Sequence, residues 1–182
     1  MLRFIKYIFQ LLLSPALGWE DIEKENPDPE ELMRTGLYPL MGVAAATEFL
    51  GFAWNRHMEL GEVLMRALAD FGTYFVAVFI AKLIFELYLK KVTTAAPDER
   101  RSFTLIVLGI GLMVLIQIID NCIPWQIVIL KFLPLYAVLV IYKASDYIGV
   151  RRGDELRFMG LAAGVIVVVP LLIYYLLYLI IV

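Results

Sequence analysis

The chain has 182 residues, of which 62% are hydrophobic and 19% are charged, and its formal net charge is -2. A soluble domain is typically about half apolar and a quarter charged, so this composition predicts an integral membrane protein and excludes a soluble enzyme. The small negative charge argues against a nucleic-acid partner. With one cysteine and one histidine, the chain is also predicted to have no intramolecular disulfide, no zinc site and no cofactor.

The first 13 residues show the periodicity of an amphipathic helix. Arg3, Lys6 and Gln10 recur at helical spacing, and large apolar residues fill the remaining face. This pattern predicts a helix in the cytoplasmic membrane interface with these three polar side chains toward water. Pro15 is expected to end or kink the helix.

A strongly acidic segment follows this helix. It contains seven carboxylates, at Glu20, Asp21, Glu23, Glu25, Asp28, Glu30 and Glu31. Such a charge run is typical of a solvated connector, and a docking strip for a basic cytoplasmic partner is the alternative. Residues 1–36 are therefore predicted to form a cytoplasmic region that precedes a transmembrane domain, residues 37–182.

Five apolar stretches are bounded by charged or turn-forming residues, and they approach the ~20 residues that a helix needs to cross a membrane. Their continuous hydrophobicity favours an all-α bundle over a transmembrane barrel, whose strands alternate in polarity. The predicted spans cover residues 37–54, 67–89, 103–119, 123–142 and 158–182. A tight turn is expected between the third and fourth spans.

Basic residues are unequally distributed between the two sides of this five-span arrangement. Twelve of the 16 lysine and arginine residues lie on the side of the N-terminus, and two lie in the loops of the opposite side. Because basic residues favour the cytoplasmic side, the N-terminus is predicted to be cytoplasmic and the C-terminus extracytoplasmic.

Three short motifs resemble one known family. The sequences LLLSPALGWEDI at 11–22, LYPL at 37–40 and EFLG at 48–51 are similar to the YIP domain family of Ypt/Rab-GTPase-interacting proteins, and in particular to its short bacterial-type members. The resemblance implies a five-span, non-enzymatic scaffold or accessory subunit in a bacterial inner membrane. The family's D-L-Y-G-P run is reduced here to residues 37–39 and the long eukaryotic cytoplasmic region is missing, and both departures count against Rab GTPase binding.

Two ionisable residues lie close to the predicted membrane midplane. Glu48 is placed slightly outward in span one and Lys131 near the centre of span four, so their depths are compatible. A charge at this depth is costly, and a buried Glu48–Lys131 pair that fixes the helix arrangement is the leading interpretation. An ion or proton pathway, or no contact at all, are the alternatives.

Polar residues also gather near the extracytoplasmic ends of spans two and three. Asp70, Gln117, Asp120 and Asn121 could together form a cation-binding cluster, and simple hydration of the carboxylates is the alternative. Glycines mark two further places. Gly160 and Gly164 form a G-x-x-x-G pattern in span five, and span three contains two glycines at 109 and 111, so close helix packing is predicted at both.

No catalytic residues are predicted. The single histidine, His57, lies on the outer side, whereas the serines lie on or near the cytoplasmic side, so no nucleophile has a base beside it. The sequence favours a scaffold or accessory subunit with a membrane-protein partner or a second copy of the chain as its partner. A small-molecule or ion transporter that uses Glu48 and Lys131 is the alternative.

Overall fold

The computed structural model describes residues 1–50, 59–91, 93, 98–123 and 132–181. Within these residues every element is helical, apart from one isolated bridge between Thr93 and Val150. The α-helices are α1 (Leu2–Leu13), α2 (Pro15–Glu25), α3 (Pro29–Leu32), α4 (Tyr38–Thr47), α5 (Leu60–Tyr88), α6 (Glu99–Cys122), α7 (Leu133–Tyr142), α8 (Ser145–Ile148), α9 (Glu155–Ala163) and α10 (Val169–Ile181).

Three helices are long and apolar enough to cross a membrane. They are α5, α6 and the continuous run Glu155–Leu177, which joins α9 to α10. They coincide with predicted spans two, three and five, so the all-α, membrane-embedded character of the chain is confirmed.

The predicted spans one and four are not confirmed. Residues 29–50 form one helical run, but this run is not among the described helices that are long and apolar enough to cross a membrane. Residues 51–54 of span one lie outside the described residues. Span four contains α7, which has ten residues, and residues 124–131 before it are likewise outside the described part of the chain.

Two π-helical segments interrupt the helical runs, and each lies just before a proline. Met33–Leu37 precedes Pro39, and Gly164–Val168 precedes Pro170. A proline inside a helix donates no hydrogen bond and its ring clashes with the carbonyl four residues earlier, which falls inside the π segment in both cases. The wider π turns therefore allow both runs to continue through their prolines.

Helix α6 forms the centre of the bundle. Every residue from Ser102 to Val114 is buried, on all sides of the helix. A helix that is apolar and buried all round is an internal element, and α6 contacts α1, α4, α5 and α7 together with the π segment before α10.

The N-terminal helix packs into this core. α1 spans the predicted residues, but its apolar face contacts protein: Phe4 is 1% exposed, and its ring lies against Gly36 and Gly111. A Cβ at Gly111 would lie 2.6 Å from the ring tip of Phe4, so the glycine allows the close approach. α1 thus packs on the bundle through part of its apolar surface, while Leu2, Phe9 and Leu13 are exposed. Its predicted position in the cytoplasmic membrane interface stays a prediction.

The two predicted glycine sites differ in their surroundings within the described part of the chain. In α6, a Cβ at Gly109 would lie 3.0 Å from Ile166, so this helix does pack closely through its glycines. In contrast, an added Cβ at Gly160 or Gly164 would meet no described atom within 4 Å. In the run Glu155–Leu177 the fully buried positions 158, 162 and 166 face the bundle. Gly160 and Gly164 each lie two residues from these positions, so they project away from the bundle.

Candidate functional site

Two carboxylates from different helices meet at one end of the bundle. Glu48 follows α4, Asp70 lies on α5, and the two side chains are within hydrogen-bonding reach of each other. Asp70 is only 1% exposed, and neither of its oxygens accepts a hydrogen bond of good geometry from a described residue. Two carboxyl groups therefore face each other, one buried at Asp70 and one half-buried at Glu48.

A chain of amide and hydroxyl groups reaches this carboxyl pair through Asn121. The Gln117 amide donates to Asn121 Oδ1 at 3.0 Å, and the Asn121 amide donates to Thr47 Oγ1 at 3.1 Å and to the Ala44 carbonyl at 3.4 Å. Asn121 also interacts with Asp70. The network joins the end of α6 to the end of α4 beside the carboxylates. We refer to Thr47, Glu48, Asp70, Gln117 and Asn121 as the Glu48–Asp70 cluster.

This cluster matches the predicted polar group only in part. Asp70, Gln117 and Asn121 are brought together as expected. Asp120 is exposed and lines a neighbouring open cleft of about 300 Å³ with Tyr74 and Gln117, so it borders the cluster without joining it. The contact between Glu48 and Asp70 was not foreseen from the sequence, because depth and charge sign do not show which way a helix faces.

The predicted partner of Glu48 stays untested. Lys131 lies outside the described residues, as do Arg56 and His57, so the predicted Glu48–Lys131 pair remains a prediction. The nearest described cation is Arg66, one turn before Asp70, and it forms a salt bridge with Glu62 at 2.7 Å.

A second arrangement is formed at the other end of the bundle by α1 and α2. These helices form an antiparallel hairpin whose polar side chains face each other. Glu25 accepts hydrogen bonds from Tyr7 at 2.5 Å and from Lys6 at 3.0 Å, and Gln10 donates to Asp21 at 3.0 Å. The hydrogen bond from Tyr7, followed by that from Lys6, lowers the pKa of Glu25 to about 2.

The polar face of α1 therefore has a partner that the sequence did not predict. Arg3 and Lys6 remain half exposed, but both form salt bridges with Glu25, at 3.4 and 3.0 Å. Water is only part of their environment. The acidic segment is likewise not a free connector, because most of it is helical and contacts the rest of the chain.

Trp19 anchors the hairpin to the bundle. Its side chain is 2% exposed and stacks on Tyr147, with ring centroids 5.1 Å apart. Its Nε1–H donates to the Val140 carbonyl at 2.9 Å. Val140 lies in the last turn of α7, where backbone carbonyls lack partners within the helix, so Trp19 satisfies one of them.

Two arginines at the start of α6 hold the acidic segment from the other side. Arg101 forms a salt bridge with Glu23 at 2.8 Å and donates to the Tyr147 carbonyl at 2.9 Å, and Arg100 lies 3.5 Å from Asp28. Three further carboxylates are exposed, and one of them, Glu20, lies 4.0 Å from Lys24. We refer to the exposed residues Glu20, Glu30 and Glu31 as the acidic surface.

The comparisons with known proteins add no assignment. No family model, curated protein or solved structure matches the chain. The resemblance to the YIP domain family therefore stays a prediction from the motifs at residues 11–22, 37–40 and 48–51.

Proposed function

We propose that this chain is a non-enzymatic scaffold or accessory subunit of a membrane assembly, and that its acidic surface docks a basic cytoplasmic partner. The observation that carries the proposal is the fixed position of that surface. Trp19 and Arg101 hold the segment against the bundle, so the exposed carboxylates are presented on a preformed support. A preformed surface loses less conformational entropy on binding than a free connector does.

The proposal includes the five-span topology with a cytoplasmic N-terminus, in a bacterial inner membrane. Its support is the twelve-to-two distribution of basic residues. Three membrane-spanning helices are consistent with it, and the run over residues 29–50 and the segment that ends with α7 would supply the other two.

Labelling of single cysteines tests this topology. The native Cys122 is exposed and would lie on the outer side, whereas a cysteine introduced as Lys91→Cys in a Cys122→Ser background would lie in the cytoplasm. A membrane-impermeant maleimide added to intact cells should label Cys122, and it should label the introduced cysteine only after permeabilisation. The opposite pattern would contradict the orientation, and labelling of both from outside would contradict the span count.

Charge reversal tests the docking surface. Full-length protein is purified in mild detergent, and bound proteins are compared among the wild type, Glu30→Lys and the matched control Asp146→Lys. Asp146 is also exposed, but it lies on α8, outside the acidic surface. A stoichiometric protein partner or second copy that is lost with Glu30→Lys and retained with the control supports the proposal. An unchanged set of bound proteins, or a monomer without any partner, contradicts it.

The transporter alternative rests on Glu48 and Lys131. The described residues place Glu48 beside a second carboxylate, and a transport role for the pair with Lys131 stays a prediction. Flux in proteoliposomes that depends on a substrate and is abolished by Glu48→Gln would favour that alternative over the scaffold.

A further inference from the structure

A cleft between α5 and α6 carries charges of both signs. Its volume is about 170 Å³, and its lining includes Lys82, Glu86, Glu99, Ser102, Phe103 and Ile106. Lys82 and Glu86 lie one turn apart on α5, a spacing that permits a salt bridge, but Lys82 Nζ lies over the ring of Phe103 instead, 4.9 Å from its centroid. Within the described part of the chain, Lys82, Glu86 and Glu99 form no salt bridge. The cleft therefore presents a lysine and two carboxylates to a molecule that enters it.

The position of this cleft along the helices matches the boundary between the hydrocarbon and the polar region of a bilayer. Residues 102–119 of α6 carry no charged side chain, whereas Arg100 and Arg101 come directly before them. At ~1.5 Å per residue this uncharged run is ~27 Å long, close to the ~30 Å of a hydrocarbon core. Phe103 lies at the beginning of the run, so its contact with Lys82 holds the lysine near the depth of the lipid phosphates.

An exposed apolar strip leads from the cleft toward the middle of the membrane. Phe71, Phe75 and Phe79 lie on the same face of α5 as Lys82 and Glu86, and they are 37%, 40% and 51% exposed. The rings of Phe75 and Phe79 contact each other, with centroids 5.1 Å apart. A molecule with a charged head and an apolar tail would therefore fit the cleft and the strip together.

The charges of the cleft favour one class of headgroup. A lipid phosphate can accept hydrogen bonds from the Lys82 ammonium, but the two carboxylates repel a headgroup that is only negative. A primary ammonium beside the phosphate offsets this repulsion, and it has three N–H donors for the carboxylates, whereas a quaternary ammonium has none. The adjoining cleft adds Glu30 and also Arg100, which lies 3.5 Å from Asp28, so it does not make the surroundings positive.

We propose that the cleft between α5 and α6 binds a phospholipid with a zwitterionic, primary-amine headgroup of the phosphatidylethanolamine type. Its phosphate contacts Lys82, its ammonium lies between Glu86 and Glu99, and one acyl chain follows Phe79 toward the middle of the membrane. This inference goes beyond the scaffold role and does not depend on it, because the lipid contacts no residue of the acidic surface.

Native mass spectrometry of the full-length protein tests this lipid site. Delipidated protein in mild detergent is mixed with equal amounts of phosphatidylethanolamine, phosphatidylglycerol and phosphatidylcholine that have the same acyl chains. We expect the first bound lipid to be phosphatidylethanolamine, with a preference of about fivefold or more over each of the others. Equal binding of the three lipids, or a preference for either of the other two, overturns the proposal.

Two charge variants separate the phosphate contact from the ammonium contact. All three lipids contain a phosphate, so Lys82→Gln should weaken the binding of all three. Glu86→Gln should mainly reduce the preference for phosphatidylethanolamine over phosphatidylcholine. Lys91→Gln is the matched control, because Lys91 also lies over an aromatic ring, that of Tyr88 at 4.5 Å, but does not line the cleft. The proposal is overturned if both cleft variants bind lipids as the wild type does, or if the control loses as much binding as Lys82→Gln.

A soluble competitor separates a lipid from a free phosphoester with the same headgroup. Glycerophosphoethanolamine lacks acyl chains, so at the concentration of the lipid it should not displace bound phosphatidylethanolamine. Displacement at equal concentration would overturn the assignment to a lipid. Lys82, Glu86 and Lys91 are all exposed, so the three variants should fold, and circular dichroism checks this. If Lys82→Gln does not fold, the order of the three lipids on the wild type and on Glu86→Gln decides.

Discussion

Replacement of Trp19 is the most direct test of whether the N-terminal hairpin is docked. Its side chain is 2% exposed, it stacks on Tyr147, and its Nε1–H bonds the Val140 carbonyl. Truncation of a large buried aromatic side chain costs roughly 3–5 kcal/mol, so Trp19→Ala should lower the free energy of unfolding by about that amount. Trp19→Phe keeps a ring against Tyr147 but leaves the buried carbonyl without its donor, which costs about 1–3 kcal/mol.

The assay is equilibrium unfolding in mixed micelles, followed by far-ultraviolet circular dichroism because the substitution removes a fluorophore. Leu17→Ala is the matched control, since Leu17 lies on the same helix and is 60% exposed. It should change stability by no more than about 0.5 kcal/mol. Hydrogen exchange across α2 supplies a second readout, which should speed up in Trp19→Ala and stay slow in the control.

One result would refute the reasoning. If Trp19→Ala were as stable as Leu17→Ala, and α2 exchanged rapidly in the wild type, the hairpin would not be packed on the bundle. The acidic segment would then be the solvated connector that its charge pattern predicts, and the preformed docking surface would be lost with it.

Two further predictions concern the glycines and the acid dependence of stability. Gly111→Ala should destabilise the protein by about 1–2 kcal/mol net, because its Cβ would lie 2.6 Å from Phe4. Gly160→Ala lies in open space and should stabilise the protein by up to about 1 kcal/mol. Chemical unfolding of both variants measures these changes, and two changes in the same direction would contradict the reasoning. The pKa of Glu25 is about 2 in the folded chain, below the ~4.3 of an unfolded glutamate, so its stabilisation is complete above pH ~4.3 and is lost as the pH falls toward 2. Glu25→Gln should therefore flatten the decline of the midpoint temperature in this pH range, and a decline as steep as that of the wild type would contradict the assignment.

The sequence predicted the elements whose signal is long or strictly periodic. Helix α1 and the three spanning helices were placed by hydropathy and helical periodicity, and their observed bounds differ only at the ends. The charge of the acidic segment predicts a solvated connector, but the same residues also show the pattern of a short amphipathic helix. Pro15 at the first helical position, followed by Trp19 and Ile22 on one face, is typical of a short amphipathic helix, and both apolar side chains are buried.

Orientation about the helix axis explains what the sequence could not predict. Depth in the membrane follows from residue number, but the direction of a side chain depends on which helices are neighbours and on local changes in helical repeat. The π segment Gly164–Val168 alters that repeat within one run, and it begins at Gly164, where an added Cβ would meet no described atom within 4 Å. The contact of Glu48 with Asp70 depends on the same information, since both the face of α5 and the end of α4 must be known.

Polar contacts at both ends of α6 give a physical reason for its fixed place in the bundle. Within a bilayer the hydrophobic effect does not favour one helix register over another, so packing and polar contacts must select it. Arg101 binds Glu23 at the beginning of α6, and Asn121 binds Thr47 near its end. A shift of α6 by one turn would break both contacts and would move Gly111 away from Phe4. The register that brings Asn121 beside the carboxylate pair is therefore the same register that docks the N-terminal hairpin.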